Sequence, residues 1–125
     1  LCQVYLEHDV IKAQRLAKYA IRLSPNNSYA HNVEGMVFLE LKNYSKAEAA
    51  FLKAVSIDPN YLDAYYNLAC VKSLQGDFEM TRTYFESAIQ NGFYDYEHAK
   101  TDPDLEAFRK QIQWMELVRK YFSDH

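Results

Sequence analysis

Apolar and small residues recur along this chain at i, i+3, i+4 and i+7, the spacing of helices with one buried face. Val10, Ala13, Leu16, Ala17, Ala20, Ile21 and Leu23 form one such face, with Lys12, Arg15, Lys18 and Arg22 on the wet side. They predict a helix over 10–23, N-capped by Asp9 after a turn at His8. Leu1, Val4 and Tyr5 read as the end of an earlier helix over 1–9. Ser24-Pro25-Asn26-Asn27 ends the second helix, because proline disfavours helical backbone at the residue before it. A helix over about 28–41 follows, then a turn at Lys42-Asn43. Ser45 and Glu48 have capping-box spacing for the next helix, which carries Ala47, Ala50, Phe51, Ala54, Val55 and Ile57 on one side. Asp58-Pro59-Asn60 stops it. Ala64, Tyr65, Leu68, Ala69 and Val71 mark the next helix, and Gly76-Asp77 the next turn. Phe78, Thr81, Tyr84, Phe85, Ala88 and Ile89 line the helix after that, which Asn91-Gly92 ends.

The landmarks repeat at a fixed step. Pro25 and Pro59 are 34 residues apart, as are Ala20, Ala54 and Ala88, and Ala17, Phe51 and Phe85. A period of this length marks a stacked array of two-helix units. Small residues at 13, 20, 47, 54 and 88 let paired helices approach closely, and Phe51 and Phe85 fill the space beside them. Ala17 stands where the other units have phenylalanine, so the first packing layer should be thinner. The expected organisation is a partial first unit over 1–27, a second over 28–61, a third over 62–92, and C-terminal capping helices over 93–125. In the tail, Asp102 caps and Pro103 takes the first helical position. Leu105, Phe108, Ile112, Met115, Val118 and Phe122 then share one helix face lying on the last unit, and their spacing leaves open whether the helix breaks near Gln111.

These units resemble the tetratricopeptide repeat. The second matches it through Gly35, Phe38, Tyr44, Ala47, Phe51, Ala54 and Pro59, the third through Tyr65, Leu68, Ala69, Gly76, Phe78, Phe85 and Ala88. Residues 1–27 match the later part of a unit through Val4, Val10, Ala13, Ala20 and Pro25. Departures are Glu34, His31, Thr81 and Ala17, and Phe93 in place of the closing proline. The run from Asn91 to Arg109 is similar to the C-terminal ending of bacterial repeat proteins of this family, though Gln111–Trp114 lacks the proline usual there. The resemblance implies an all-α fold, a right-handed superhelical solenoid of antiparallel helix pairs. It implies a protein or peptide partner held in a concave groove lined by the first helix of each unit. By position, that groove comprises Cys2 and Tyr5; Tyr29, Asn32, Met36, Leu39 and Glu40; and Asp63, Tyr66, Asn67, Cys70 and Ser73. The family's carboxylate clamp is not expected: only Asn67 fits it, and Asp63 stands where a cation is needed.

Composition narrows the function classes. Net charge is −3 without a cluster of Lys and Arg, which argues against nucleic acid. No apolar run approaches the roughly 20 residues of a membrane span. Cys2 and Cys70 are two unit steps apart, too far for the ~7 Å a disulfide spans, so two reduced, buried thiols are expected, which fits a cytoplasmic location. His8, His31, His98 and His125 have no metal-ligand spacing, and no phosphate loop or nucleophile motif is present. His31 reads as a packing residue and Trp114 as a core anchor. No catalysis, cofactor or metal is expected. The leading expectation is a protein-interaction module, with weak self-association through exposed edges as a further property. Its competitor is the regulatory or scaffolding end of a larger enzyme whose catalytic domain precedes Leu1, where the helical pattern is already under way.

Overall fold

A computed structural model describes residues 7–122, with side chains from Val10 onward. All regular elements among these residues are helical: α1 (Glu7–Leu23), α2 (Ser28–Glu40), α3 (Tyr44–Ile57), α4 (Leu62–Leu74), α5 (Phe78–Gln90), α6 (Tyr96–Thr101), a 3-10 turn (Pro103–Leu105), α7 (Glu106–Arg109) and α8 (Ile112–Tyr121). The expectations for Cys2 and Tyr5 fall outside the described residues. α2 pairs with α3 and α4 with α5; α1 packs on α2, and α3 on α4.

Local chemistry sets the helix starts. The side chains of Asn27, Asn43, Asp77 and Asp95 each accept a backbone N–H from the first turn of α2, α3, α5 and α6. The cap of α3 is therefore Asn43, one position before the helix, rather than the expected Ser45–Glu48 box. Between α4 and α5, Gly76 holds φ +80°, a conformation glycine adopts without steric cost. Lys42 holds the corresponding turn at φ +61°. Where α2 crosses α3, Gly35 faces Phe51: a Cβ at Gly35 would sit 2.5 Å from two carbons of that ring. Ala47, Phe51, Ala54, Ala64, Ala69, Phe85 and Ala88 are completely buried, as the periodic small–large pattern requires.

The tail keeps the period. α2, α4 and α6 begin at 28, 62 and 96; α3, α5 and α8 begin at 44, 78 and 112. Each start is 34 residues after the last. α8 lies along α5, with Gln113 donating to Glu79 at 2.7 Å and Tyr121 and Lys120 donating to Glu86 at 2.8 and 3.2 Å. The helix begun at Tyr96 is interrupted by Asp102-Pro103, and Pro103 stands where α2 has Gly35 and α4 has Ala69. Arg109 closes the break: its guanidinium donates to the carbonyl of Ala99 (2.9 Å), whose helical donor position is taken by Pro103, and to that of Asp102 (2.6 Å), which also accepts the Leu105 N–H of the 3-10 turn.

The structure decides one open point in the tail and corrects one expectation. The helix does not run through Gln111, which is extended (φ −102°, ψ 156°) and starts α8 afresh, as Asn43 and Asp77 start α3 and α5. The break rotates the face. Ile112 and Met115 are exposed, and Trp114 and Leu117 take the buried side. Trp114 is the expected core anchor: its ring stacks on Tyr96 and meets Phe85 and Phe108 edge-on.

The thiol expectation is also corrected. Cys70 is disulfide-bonded and fully buried. The distance argument placed Cys2 two regular steps from Cys70, and Cys2 lies outside the described residues. The reduced-thiol argument for a cytoplasmic location therefore falls. No helix among the described residues is long and apolar enough to cross a membrane.

Candidate functional site

α2 and α4 are each the first helix of a unit, and they touch directly. Asn67 donates to the Asn32 side-chain oxygen at 3.0 Å, and Asn32 donates to Met36 Sδ at 3.6 Å. This pair is buried, so the two amides satisfy each other where water is excluded. Beside Asn32, the Tyr61 hydroxyl pKa is pushed up to about 12 by burial, with the Asp63 carboxylate and Tyr29 adding to the rise.

Among the sequence-derived groove residues, the structure thus separates a floor from a rim. Asn32, Met36, Tyr66, Asn67 and Cys70 form the floor and are buried. Leu39 and Ser73 are buried with them. Tyr29, at 66% exposure, is open to solvent, and Asp63 and Glu40 are half-buried at the rim. Tyr66 is fully enclosed by the tail: its hydroxyl donates to Asp102 Oδ2 at 2.8 Å, and its ring stacks on Phe93 and tilts against Phe85 and His98. Burial and the neighbouring Asp102 carboxylate raise its hydroxyl pKa far above the ordinary value, so it stays a donor. Asp102 in turn accepts the Asp104 N–H at 2.9 Å through its other oxygen. His31 packs at the α2 start as expected, its Nε2 at 2.9 Å from the Pro25 carbonyl.

Two recesses open beside this face. One, of about 450 Å³, lies between α1 and α2 and is lined by Ala13, Leu16, Ala17, Tyr19, Ala20, Tyr29, Ala30 and Val33. It includes Ala17, where the later units carry Phe51 and Phe85. The thinner first layer read from sequence is therefore an apolar hollow with two exposed tyrosines, Tyr19 and Tyr29, among its walls. The second, of about 260 Å³, lies where the end of α4 meets the Pro103–Lys110 turn, between Ser73 and Leu74 on one side and Asp104, Glu106 and Lys110 on the other. Burial, Asp102 and Glu40 raise the Asp104 carboxyl pKa to about 6.

The sequence reading missed Tyr61, Asp102, Asp104 and Arg109 as contributors to this face. Tyr61 sits in an inter-unit turn, and the other three are in the tail, whose fold-back over α4 no helical periodicity announces. The available signal was the run Asp102-Pro103-Asp104-Leu105, which already marked a helix break. No group of three or more His, Cys, Asp or Glu placed to hold a metal occurs among the described residues.

Comparison with known proteins agrees with this architecture. Family models described as tetratricopeptide repeat match residues 28–61 and 50–83. A chloroplastic protein of Arabidopsis thaliana is 28% identical over 91 residues, covering 70% of this chain and 27% of that protein. Protein O-mannosyl-transferase TMTC3 of Homo sapiens is 32% identical over 85 residues, covering 67% of this chain and 9% of the relative. Anaphase-promoting complex subunit 3 of Schizosaccharomyces pombe is 25% identical over 85 residues, covering 68% and 13%. The chain spans about a quarter or less of each of these relatives. With its paired helices and its 34-residue step, this chain belongs to the tetratricopeptide repeat family and is an all-α repeat array.

Proposed function

We propose that this chain is a protein-interaction module that holds a segment of a partner protein along the shared face of α2 and α4, anchored at the rim residues Tyr29, Asp63 and Glu40. The observation carrying this reading is Tyr29. It is a large aromatic, exposed, on the wall of a 450 Å³ apolar hollow, at a position the repeat does not need for packing. An exposed aromatic beside an apolar recess is the usual anatomy of an interaction anchor. The buried floor residues hold that rim in shape rather than touching the partner.

Two variants test this. Tyr29→Ala removes the wall, and Ala17→Phe fills the hollow with the ring the later units already carry. Both should weaken capture of a purified partner peptide while leaving the helical circular dichroism unchanged. Undiminished affinity in both would overturn the reading. The human relative's name supports a second reading, in which the array is a scaffolding region within a larger enzyme. The interaction role of the repeats is the same in either case.

A further inference from the structure

The solvent side of α1 carries two parallel stripes of opposite character. Arg15, Lys18 and Arg22 form one row, and Leu16, Tyr19 and Leu23 form a second, each at i, i+3, i+7 of the helix. All six side chains are exposed, the three apolar ones at 58%, 60% and 67%. Helical spacing alone put Leu16 and Leu23 on the buried side, but Val10 and Ala17 take that side and leave them on the surface. Three large apolar groups in one exposed row mark a surface that is covered by something else. Lys12, Arg15, Lys18 and Arg22 have no ion-pair partner among the described residues. No acidic residue occurs from Val10 to Val33, while the whole chain carries a net charge of −3, so these four cations stand against an acidic remainder. The apolar row borders the hollow beside α2: Leu16 and Tyr19 line it together with Tyr29 and Val33.

We propose that α1 receives an acidic end of the partner segment, in which large apolar side chains stand beside Asp and Glu. The apolar side chains enter the hollow and cover Leu16, Tyr19 and Leu23, and the carboxylates meet Arg15, Lys18 and Arg22. The inference rests on the reading of the hollow as the partner's seat and adds the partner's charge pattern to it. Apolar burial supplies the affinity there, and the cations select the segment and speed its arrival. They also fix its direction, because the charge of the face changes sign along its length. Asp63 on α4 holds the place that Tyr29 holds on α2, and Glu40 stands at the same rim, so a carboxylate is favoured over α1 and repelled there. A basic helix face with exposed apolar groups also suits an anionic lipid surface. The hollow favours a protein segment, since a recess of about 450 Å³ takes a side chain and a flat bilayer surface leaves it unfilled.

The test is selection from a random peptide library displayed on phage, panned on the intact chain and on the charge-reversed variant Arg15→Glu/Lys18→Glu/Arg22→Glu. The three side chains are exposed, so the variant keeps the helical circular dichroism of the wild type. The expected result is enrichment of Asp and Glu beside large apolar residues on the wild-type chain, and loss of that enrichment on the variant. The strongest selected peptide, synthesised with blocked termini, should bind about tenfold more weakly to Arg15→Gln/Lys18→Gln/Arg22→Gln. Its affinity for the wild type should fall as salt is raised, and it should bind Ala17→Phe weakly. Peptides that Ala17→Phe displaces but that show no acidic enrichment, or an enrichment that survives the charge reversal, would overturn the charge pattern and leave the hollow reading intact. Acidic peptides that bind Tyr29→Ala and Ala17→Phe undiminished, or no selection at all, would overturn both. Phosphatidylserine vesicles that bind the wild type and not the neutral variant, with no acidic peptide selected, would overturn the peptide in favour of a lipid surface.

Discussion

Replacing Gly35 by alanine tests the helix crossing on which the array depends. In an exposed helix this change stabilises, by about 1 kcal/mol, because alanine is the better helix former. Here the added Cβ would lie 2.5 Å from two carbons of the Phe51 ring and 2.9 Å from a third. Ordinary contact begins near 3.4 Å, so the ring must retreat by about 1 Å. Phe51 is completely buried between α2 and α3, so its ring can retreat only by displacing packed neighbours. Overpacking of this kind costs about 1–3 kcal/mol. Set against the propensity gain, Gly35→Ala should destabilise by about 0–2 kcal/mol. The sharper quantity is the coupling. In a Phe51→Leu background the clash is relieved, and Gly35→Ala should become neutral or stabilising. Urea denaturation of the four proteins of the cycle should give an interaction energy of about 1 kcal/mol or more. Stabilisation of about 1 kcal/mol in both backgrounds would refute the close crossing.

Three further outcomes follow from the tail and its contact with α4. Tyr66→Phe leaves a buried Asp102 oxygen without its donor and should cost about 1–3 kcal/mol in urea denaturation, whereas a surface tyrosine would cost nothing measurable. Arg109→Ala should free the Ala99 and Asp102 carbonyls, seen as faster amide exchange across α6 and the 3-10 turn with α2 and α3 unaffected. Asp104 has a folded pKa of about 6 against an ordinary value of 3.8, so the folded chain binds the proton more tightly than the unfolded one. Its ionisation destabilises the fold, fully above pH 6 and not at all below the unfolded pKa. Asp104→Asn should therefore be more stable than wild type at pH 7, with the gap closing as pH falls from about 6 to about 4; a constant gap across that window would contradict the sign.

Most of the periodic part of this fold was legible because helix ends and crossings obey local rules, although α3 is capped by Asn43 rather than the Ser45–Glu48 box, and Asp9, read as a cap, lies inside α1. Asn27, Gly76, Phe51 and Ala54 each announce their roles without reference to distant residues. His31 was legible as a packing residue of α2, and Trp114 as a core anchor from its size, although it lay off the predicted face. Gln111 was not, because apolar spacing continues across it and only the 34-residue step shows that a helix begins at Ile112. A single face drawn across that point put Ile112 and Met115 inside and left Trp114 and Leu117 off it. The floor and rim of the α2–α4 face could not be separated from sequence for a related reason. Tyr29 and Tyr66 look equivalent on their helices, and only the return of Asp102 across α4 buries one of them.

The central functional claim is that the partner lies across α2 and α4. Its most direct measurement is a ¹⁵N chemical-shift map of the chain with and without a peptide selected from a library for binding to the intact chain. The account predicts shifts at Tyr29, Glu40 and Asp63. Shifts confined to α3, α5 and α8, with those three unmoved, would contradict it.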